Sequence, residues 1–126
     1  MNEAAPHKLL IEERQGYLYV VYGGDPLTLD MIVRTINAVA YRIRAANYDR
    51  VLLIRDAPLL ESDENRAMVA SMIRNLLGTK VRFAIVDVYG NPPREVERAV
   101  AASRAAGWDL TGFRTEEAAI EWLLRR

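Results

Sequence analysis

The sequence predicts one α/β domain: a mostly parallel five-stranded sheet with elements in the order ββαβαβαβα. Two patterns carry this reading. Short β-rich runs alternate with longer stretches of helical periodicity, which implies right-handed crossovers between parallel strands. A tight connection near the start joins two such runs directly, so one antiparallel strand is added. The 126 residues, 51% of them hydrophobic, suffice for one domain with a substantial core. No internal repeat, low-complexity tract or linker interrupts them.

Residues 1–7 read as a loose tail, with the domain over 8–126. Lys8–Glu12 and Tyr17–Tyr22 are the two runs of a hairpin, connected by Glu13-Arg14-Gln15-Gly16. Gly23-Gly24-Asp25-Pro26 breaks the second strand. Thr28 or Asp25 can cap a helix that runs to about Asn47. Ile32, Ile36, Val39, Ala40 and Ile43 fall on one stripe of it.

Val51–Arg55 is continuously apolar until its last residue, as a central parallel strand should be. Asp63 opens a second helix to Leu77, with Met68, Met72, Ile73 and Leu76 as its inner stripe and Gly78 as its stop. Val81–Val88 is the next strand, and Asn91-Pro92-Pro93 turns the chain into a helix from about Arg94 to Ala106. Asp109–Thr111 is a short last strand. Thr115 caps the final helix, where Glu116 and Glu117 favour the positive end of its dipole.

Several functions are disfavoured at once. Formal charge is zero, so no nucleic-acid or membrane surface held by net charge is expected. The absence of cysteine removes disulfides, thiolate metal sites and thiol nucleophiles. The N-terminal MNEAAPHKLL is polar, without the apolar segment of a signal peptide, and no apolar run approaches a membrane span. A cytoplasmic protein without a cofactor is expected.

The chain resembles the SpoIIAA-like, STAS-type family in the order of its elements, the Leu27-Thr28 helix opening and the strands VLLIRD and RFAIVDV. The ending GFRTEEAAIEWLL is the most specific part of that resemblance, which covers nearly the whole chain. It is most similar to small bacterial members of the family that lack the serine motif of anti-sigma-factor antagonists. The resemblance implies regulatory protein or small-ligand binding without a catalysed reaction. In those antagonists the junction before the second helix reads Asp-Ser-Ser-Gly, and the second serine is phosphorylated. Here Glu61-Ser62-Asp63-Glu64 stands there: Glu61 matches the acid, Ser62 the first serine, and Asp63 occupies the phosphoacceptor position. Asp63 reads first as the helix N-cap, and second as a fixed mimic of phosphate charge.

The junction Val51–Asp63 is therefore the candidate binding surface, with Asp56, Glu61, Ser62, Asp63 and Arg66 as its residues. No lysine is expected beside them. Asp25, Asp56 and Asp87 each follow a predicted strand, and the alternative reading gathers them into a carboxylate metal or phosphoacceptor site. An acyl-phosphate site would need an adjacent lysine, and neither Lys8 nor Lys80 is expected there. His7 is expected in the tail, without a partner for acid–base work. Gly23-Gly24 has the spacing of neither nucleotide-binding fingerprint.

Two further surfaces follow from patterning. Alternation puts Tyr17, Tyr19 and Val21 on one sheet face and Leu18, Val20 and Tyr22 on the other. A winding with all helices on one side would leave Tyr17 and Tyr19 on an open face suited to a homodimer. Met68 and Met72 offer an adaptable wall for a small apolar or lipid-like ligand, so a carrier is the second functional reading.

Overall fold

The computed structural model describes residues 5–60 and 62–125, with the backbone alone at positions 5, 6 and 63. Its elements are β1 (Ala5–Arg14), β2 (Tyr17–Asp25), α1 (Leu29–Ala46), β3 (Arg50–Asp56), α2 (Asp63–Leu77), β4 (Arg82–Asp87), α3 (Pro93–Ala105), β5 (Leu110–Phe113) and α4 (Glu116–Leu124). The order is the expected one. The strands lie side by side in sequence order, β1-β2-β3-β4-β5. β1 and β2 pair antiparallel across the Gln15-Gly16 turn, and the remaining pairs are parallel.

β1 begins at Ala5 rather than Lys8, and His7 is part of it. The His7 Nε2 lies 3.2 Å from the Thr35 hydroxyl on α1, so this histidine packs against the domain instead of trailing from it. Pairing with the long β2 supplies backbone partners for these residues, which a short apolar run did not signal.

Alternation along β2 divides the core in two. Leu18 and Val20 face α1, α2 and α3, where Ile32, Ile36, Val69, Ile73 and Val100 meet Val51, Leu53, Phe83 and Ile85. Tyr17 faces the other way, into a cluster with Leu52, Ile54, Ala84, Val86, Ala119 and Leu123. The second face is therefore covered by α4. The crossover helices must return to the next parallel strand and stack on one side. The final helix feeds no strand and is free to take the other.

Arg82 fixes that helix in place. Its Nη1 donates to the carbonyls of Trp122 and Arg125 at 3.4 and 3.2 Å, and its guanidinium lies over the Trp122 ring. A cation at the carbonyl end of a helix is favourable. Trp122 also meets Phe113, with ring centroids 5.4 Å apart.

The buried stripe of α2 is Val69, Ala70 and Ile73, while Met68 is 43% exposed. Ala-Met-Val-Ala-Ser-Met-Ile offers two apolar stripes one position apart. Packing between α1 and α3 selects the one centred on Val69 and Ile73.

Candidate functional site

Two polar rows cross the carboxyl edge of the sheet, and strand register creates both. In the first, Lys8 pairs with Gly23 and Gly23 with Asp56. Cross-strand partners point to the same face, so Lys8 and Asp56 flank a position that has no side chain. Lys8 reaches over Gly23 and its ammonium ion-pairs with the Asp56 carboxylate. A Cβ at Gly23 would stand 2.5 Å from the Asp56 carbonyl oxygen and 2.9 Å from Lys8 Cε. Glycine is thus required here by close approach. The expectation that no lysine neighbours the junction is corrected: the hairpin brings one from β1.

The second row is Tyr22, Arg55 and Asp87, again paired in register. It lies on the face that carries α1, α2 and α3. Arg55 Nε donates to the Tyr22 hydroxyl at 3.3 Å, and its Nη1 lies 3.6 Å from Asp87 Oδ2. Asp87 is engaged elsewhere as well. Its Oδ1 accepts the backbone N–H groups of Gly90 and Asn91 at 3.0 and 3.2 Å, and its Oδ2 accepts Asn91 Nδ2 at 2.6 Å.

These rows explain why the three aspartates do not converge. Asp56 aligns with Gly23 and Asp87 with Arg55, one residue out of step, so the two carboxylates leave opposite faces. Asp25 accepts the Tyr89 hydroxyl at 2.8 Å. Among the described residues no group of three His, Cys, Asp or Glu side chains is placed to hold a metal ion. The carboxylate gathering expected at Asp25, Asp56 and Asp87 is corrected accordingly. Each of the three already has a partner.

Asn91, unremarked in the sequence beyond its turn, organises the junction. Its Nδ2 donates to the Ala57 carbonyl at 2.9 Å and its Oδ1 accepts the Leu59 N–H at 3.2 Å. Arg66, on α2, donates through Nη2 to the Leu60 carbonyl at 2.5 Å. The loop Ala57–Leu60 is thus tied to β4–α3 on one side and to α2 on the other, with Pro58, Leu59 and Leu60 half-buried. Arg66 is a brace for the loop rather than an outward contact.

Ser62, not Asp63, is the N-cap of α2. Its hydroxyl accepts the Asn65 N–H at 3.1 Å and its backbone is extended, whereas Asp63 is the first helical residue. Both residue types cap well, and adjacent candidates cannot be ordered by propensity alone. Glu61 lies outside the described residues.

Tyr17 is 7% exposed beneath α4, and Tyr19 is half-buried against the same cluster. The Arg14 guanidinium stacks on the Tyr19 ring at 3.7 Å from its centroid. Burial and the neighbouring Glu116 carboxylate push the Tyr19 phenol above its usual range. The open dimer face expected at Tyr17 and Tyr19 is corrected: α4 already fills it.

An apolar cavity of about 100 Å³ lies between the sheet and the three helices on the other face. Its α2 wall is Arg66, Val69, Ile73 and Leu77, so Met68 and Met72 do not form it. Tyr22, Thr35, Arg55, Arg66, Ser103 and Trp108 are its polar lining residues, and Pro58, Leu59 and Leu60 of the junction also line it.

Neither protein-family models nor curated proteins match this chain. Solved structures do. A serine-to-glutamate variant of RsbS from Moorella thermoacetica, a STAS-domain anti-sigma-factor antagonist, is similar over 92% of this chain and 94% of its own. The TM-score is 0.57 at 18% identity. With its five-stranded mostly parallel sheet and four helices, the chain has the SpoIIAA-like STAS fold.

Proposed function

We propose that this protein is a non-enzymatic regulatory module that binds a protein partner through the β3–α2 junction. The observation that carries the reading is the junction itself. Its loop is held from two sides by Asn91 and Arg66, presents Pro58, Leu59 and Leu60 as a small apolar centre, and ends on the Ser62 cap. Preorganisation of this kind lowers the entropy lost on docking. The half-buried Ser62 and the exposed Glu64 follow the apolar centre in the chain and supply polar groups beside it, as interface rims require.

The surrounding chemistry supports binding over catalysis. Asp56 is neutralised by Lys8, Asp87 is saturated by Asn91 and Gly90, and Asp25 is held by Tyr89. The Thr35 hydroxyl lies 3.2 Å from His7 Nε2, but it is also bonded to the Met31 carbonyl at 2.9 Å within its own helix. The similarity to RsbS supports a regulatory role of the same kind. No described helix is long and apolar enough to cross a membrane, in keeping with action in the cytoplasm. Ser62 is the modifiable group: a phosphate there would sit at the N-terminus of α2, where anions are favoured, and would change the charge of the rim. Self-association through Tyr17 and Tyr19 forms no part of this reading.

The test compares Leu59→Asp with Tyr41→Asp, a control on the exposed face of α1. Both variants are expected to fold and to keep their circular dichroism. Quantitative affinity purification from the native host should lose one protein with Leu59→Asp and retain it with Tyr41→Asp. Identical recoveries from both variants would contradict the assignment.

A further inference from the structure

β1 is an edge of the sheet, and among the described residues no strand pairs with its outer side. Arg14 and Tyr17 close the Gln15-Gly16 turn as a hydrogen-bonded pair, and bonded and unbonded pairs alternate from there. The backbone groups of Lys8, Leu10 and Glu12 therefore face β2, whereas those of Leu9, Ile11 and Glu13 face the open edge. A row of unpaired donors and acceptors is a template for another strand. Lys8, Leu10 and Glu12 share the sheet face that carries α4. That helix packs on β3, β4 and β5 and leaves Leu10 48% exposed. A bulge between Ala5 and Lys8 ends the regular run.

We propose that this edge binds a second copy of the chain, β1 against β1, antiparallel, with Leu10 opposite Leu10 of the second copy. Lys8-Leu9-Leu10-Ile11-Glu12 is complementary to itself in that register. Leu9 meets Ile11 on the face that carries α1, and these residues exchange the open-edge hydrogen bonds. Lys8 meets Glu12 on the other face, at both sides of the Leu10 pair. Those are non-hydrogen-bonded positions, where side chains approach closest. Moving the pairing two places one way sets Lys8 against Leu10, and the other way Lys8 against Arg14. Charges on an edge ordinarily keep it single. Here they attract in the one register that also joins the exposed leucines. Lys8 already pairs with Asp56 and Glu12 with Arg14, but both pairs are solvent-accessible. An ammonium or a carboxylate in water has room for a further partner. None of the pairing residues belongs to the β3–α2 junction.

Sedimentation velocity of the unaltered protein at rising concentration should show reversible monomer-to-dimer association, in the micromolar range expected of a small interface. Lys8→Glu and Glu12→Lys each set like charges opposite one another in a homodimer, and each should weaken it about tenfold or more. An equimolar mixture of the two variants restores the attraction at both positions and should sediment as a heterodimer. Circular dichroism checks that each variant is folded. Amide exchange in the unaltered protein needs no variant and decides the matter if either fails to fold. The Leu9 and Ile11 amides should exchange more slowly as concentration rises, while the Leu10 amide, bonded to β2, stays slow throughout. A protein that remains monomeric to about 1 mM would overturn the assignment and leave the edge to a strand of another protein. A dimer that withstands both charge reversals, or folded variants that stay apart on mixing, would overturn it equally.

Discussion

Gly23 shows how a single residue can set a local constellation. Without a side chain it lets β1 and β3 exchange an ion pair across β2, and it lets the Asp56 carbonyl approach. Gly23→Ala is therefore expected to cost about 1–3 kcal/mol, since the clash is with backbone rather than a flexible tip. Lys8→Met removes only an exposed ion pair and should cost less than ~1 kcal/mol. Urea denaturation of the two variants tests this ranking, and a larger loss from Lys8→Met would reverse it. The tyrosines give a second residue-scale test. Tyr89 is raised by its bond to the Asp25 carboxylate, and Tyr19 by burial and Glu116. In both the fold favours the neutral phenol. The associated stability is thus complete below the ordinary tyrosine range near 10 and is lost as pH climbs through the raised folded values. Spectrophotometric titration should show two late phenols, and Tyr89→Phe should remove one of them. A titration in which every phenol ionises near 10 would contradict both contacts.

At the scale of elements, the junction depends on the loop from Asp87 to Asn91 as much as on α2. Asn91→Ala removes the bonds to Ala57, Leu59 and Asp87 and is expected to cost about 2–3 kcal/mol. The Leu59 amide should then exchange with solvent markedly faster than in the unaltered protein. Unchanged exchange would show that Arg66 alone holds the loop. Ser62→Ala removes the α2 cap and should cost about 1 kcal/mol, with Ser62→Gly milder. Element order was legible in the sequence because period-2 and period-3.6 patterns alternate cleanly between Gly and Pro breaks. Three local features were not. The cap was misplaced by one residue because Ser62 and Asp63 both suit it. The buried stripe of α2 was offset because two apolar stripes run side by side. Lys8–Asp56 was missed because it depends on hairpin register, although the pairing through Gly16 would have placed Lys8 opposite Gly23.

Across the whole molecule, the sheet is a two-sided core rather than one with a vacant face. Alternation along β2 correctly divided Tyr17 from Leu18. Which face α4 would take was illegible, because a last helix has no following strand to constrain its crossover. Tyr17→Ala should therefore lower intrinsic stability by about 3–5 kcal/mol, as for other buried aromatic truncations. Below the concentrations at which β1 edges pair, its unfolding midpoint should not depend on protein concentration. A concentration-dependent midpoint would mean that the tyrosine face is shared between copies. The polar rows at the carboxyl edge were likewise invisible to spacing, since they arise from three strands read crosswise. The result is one rim with two faces: Lys8–Asp56 above α4, and Tyr22–Arg55–Asp87 above the cavity.

The most direct measurement of the central claim is site-specific photocrosslinking in the native host. A photoreactive residue is placed at Leu59 in one strain and at Glu117, on the exposed side of α4, in another. Position 59 is expected to give one discrete adduct, identified by mass spectrometry and diminished by Ser62→Glu, while position 117 gives none. The same adducts from both positions, or none from position 59, would contradict a partner-binding role for the β3–α2 junction.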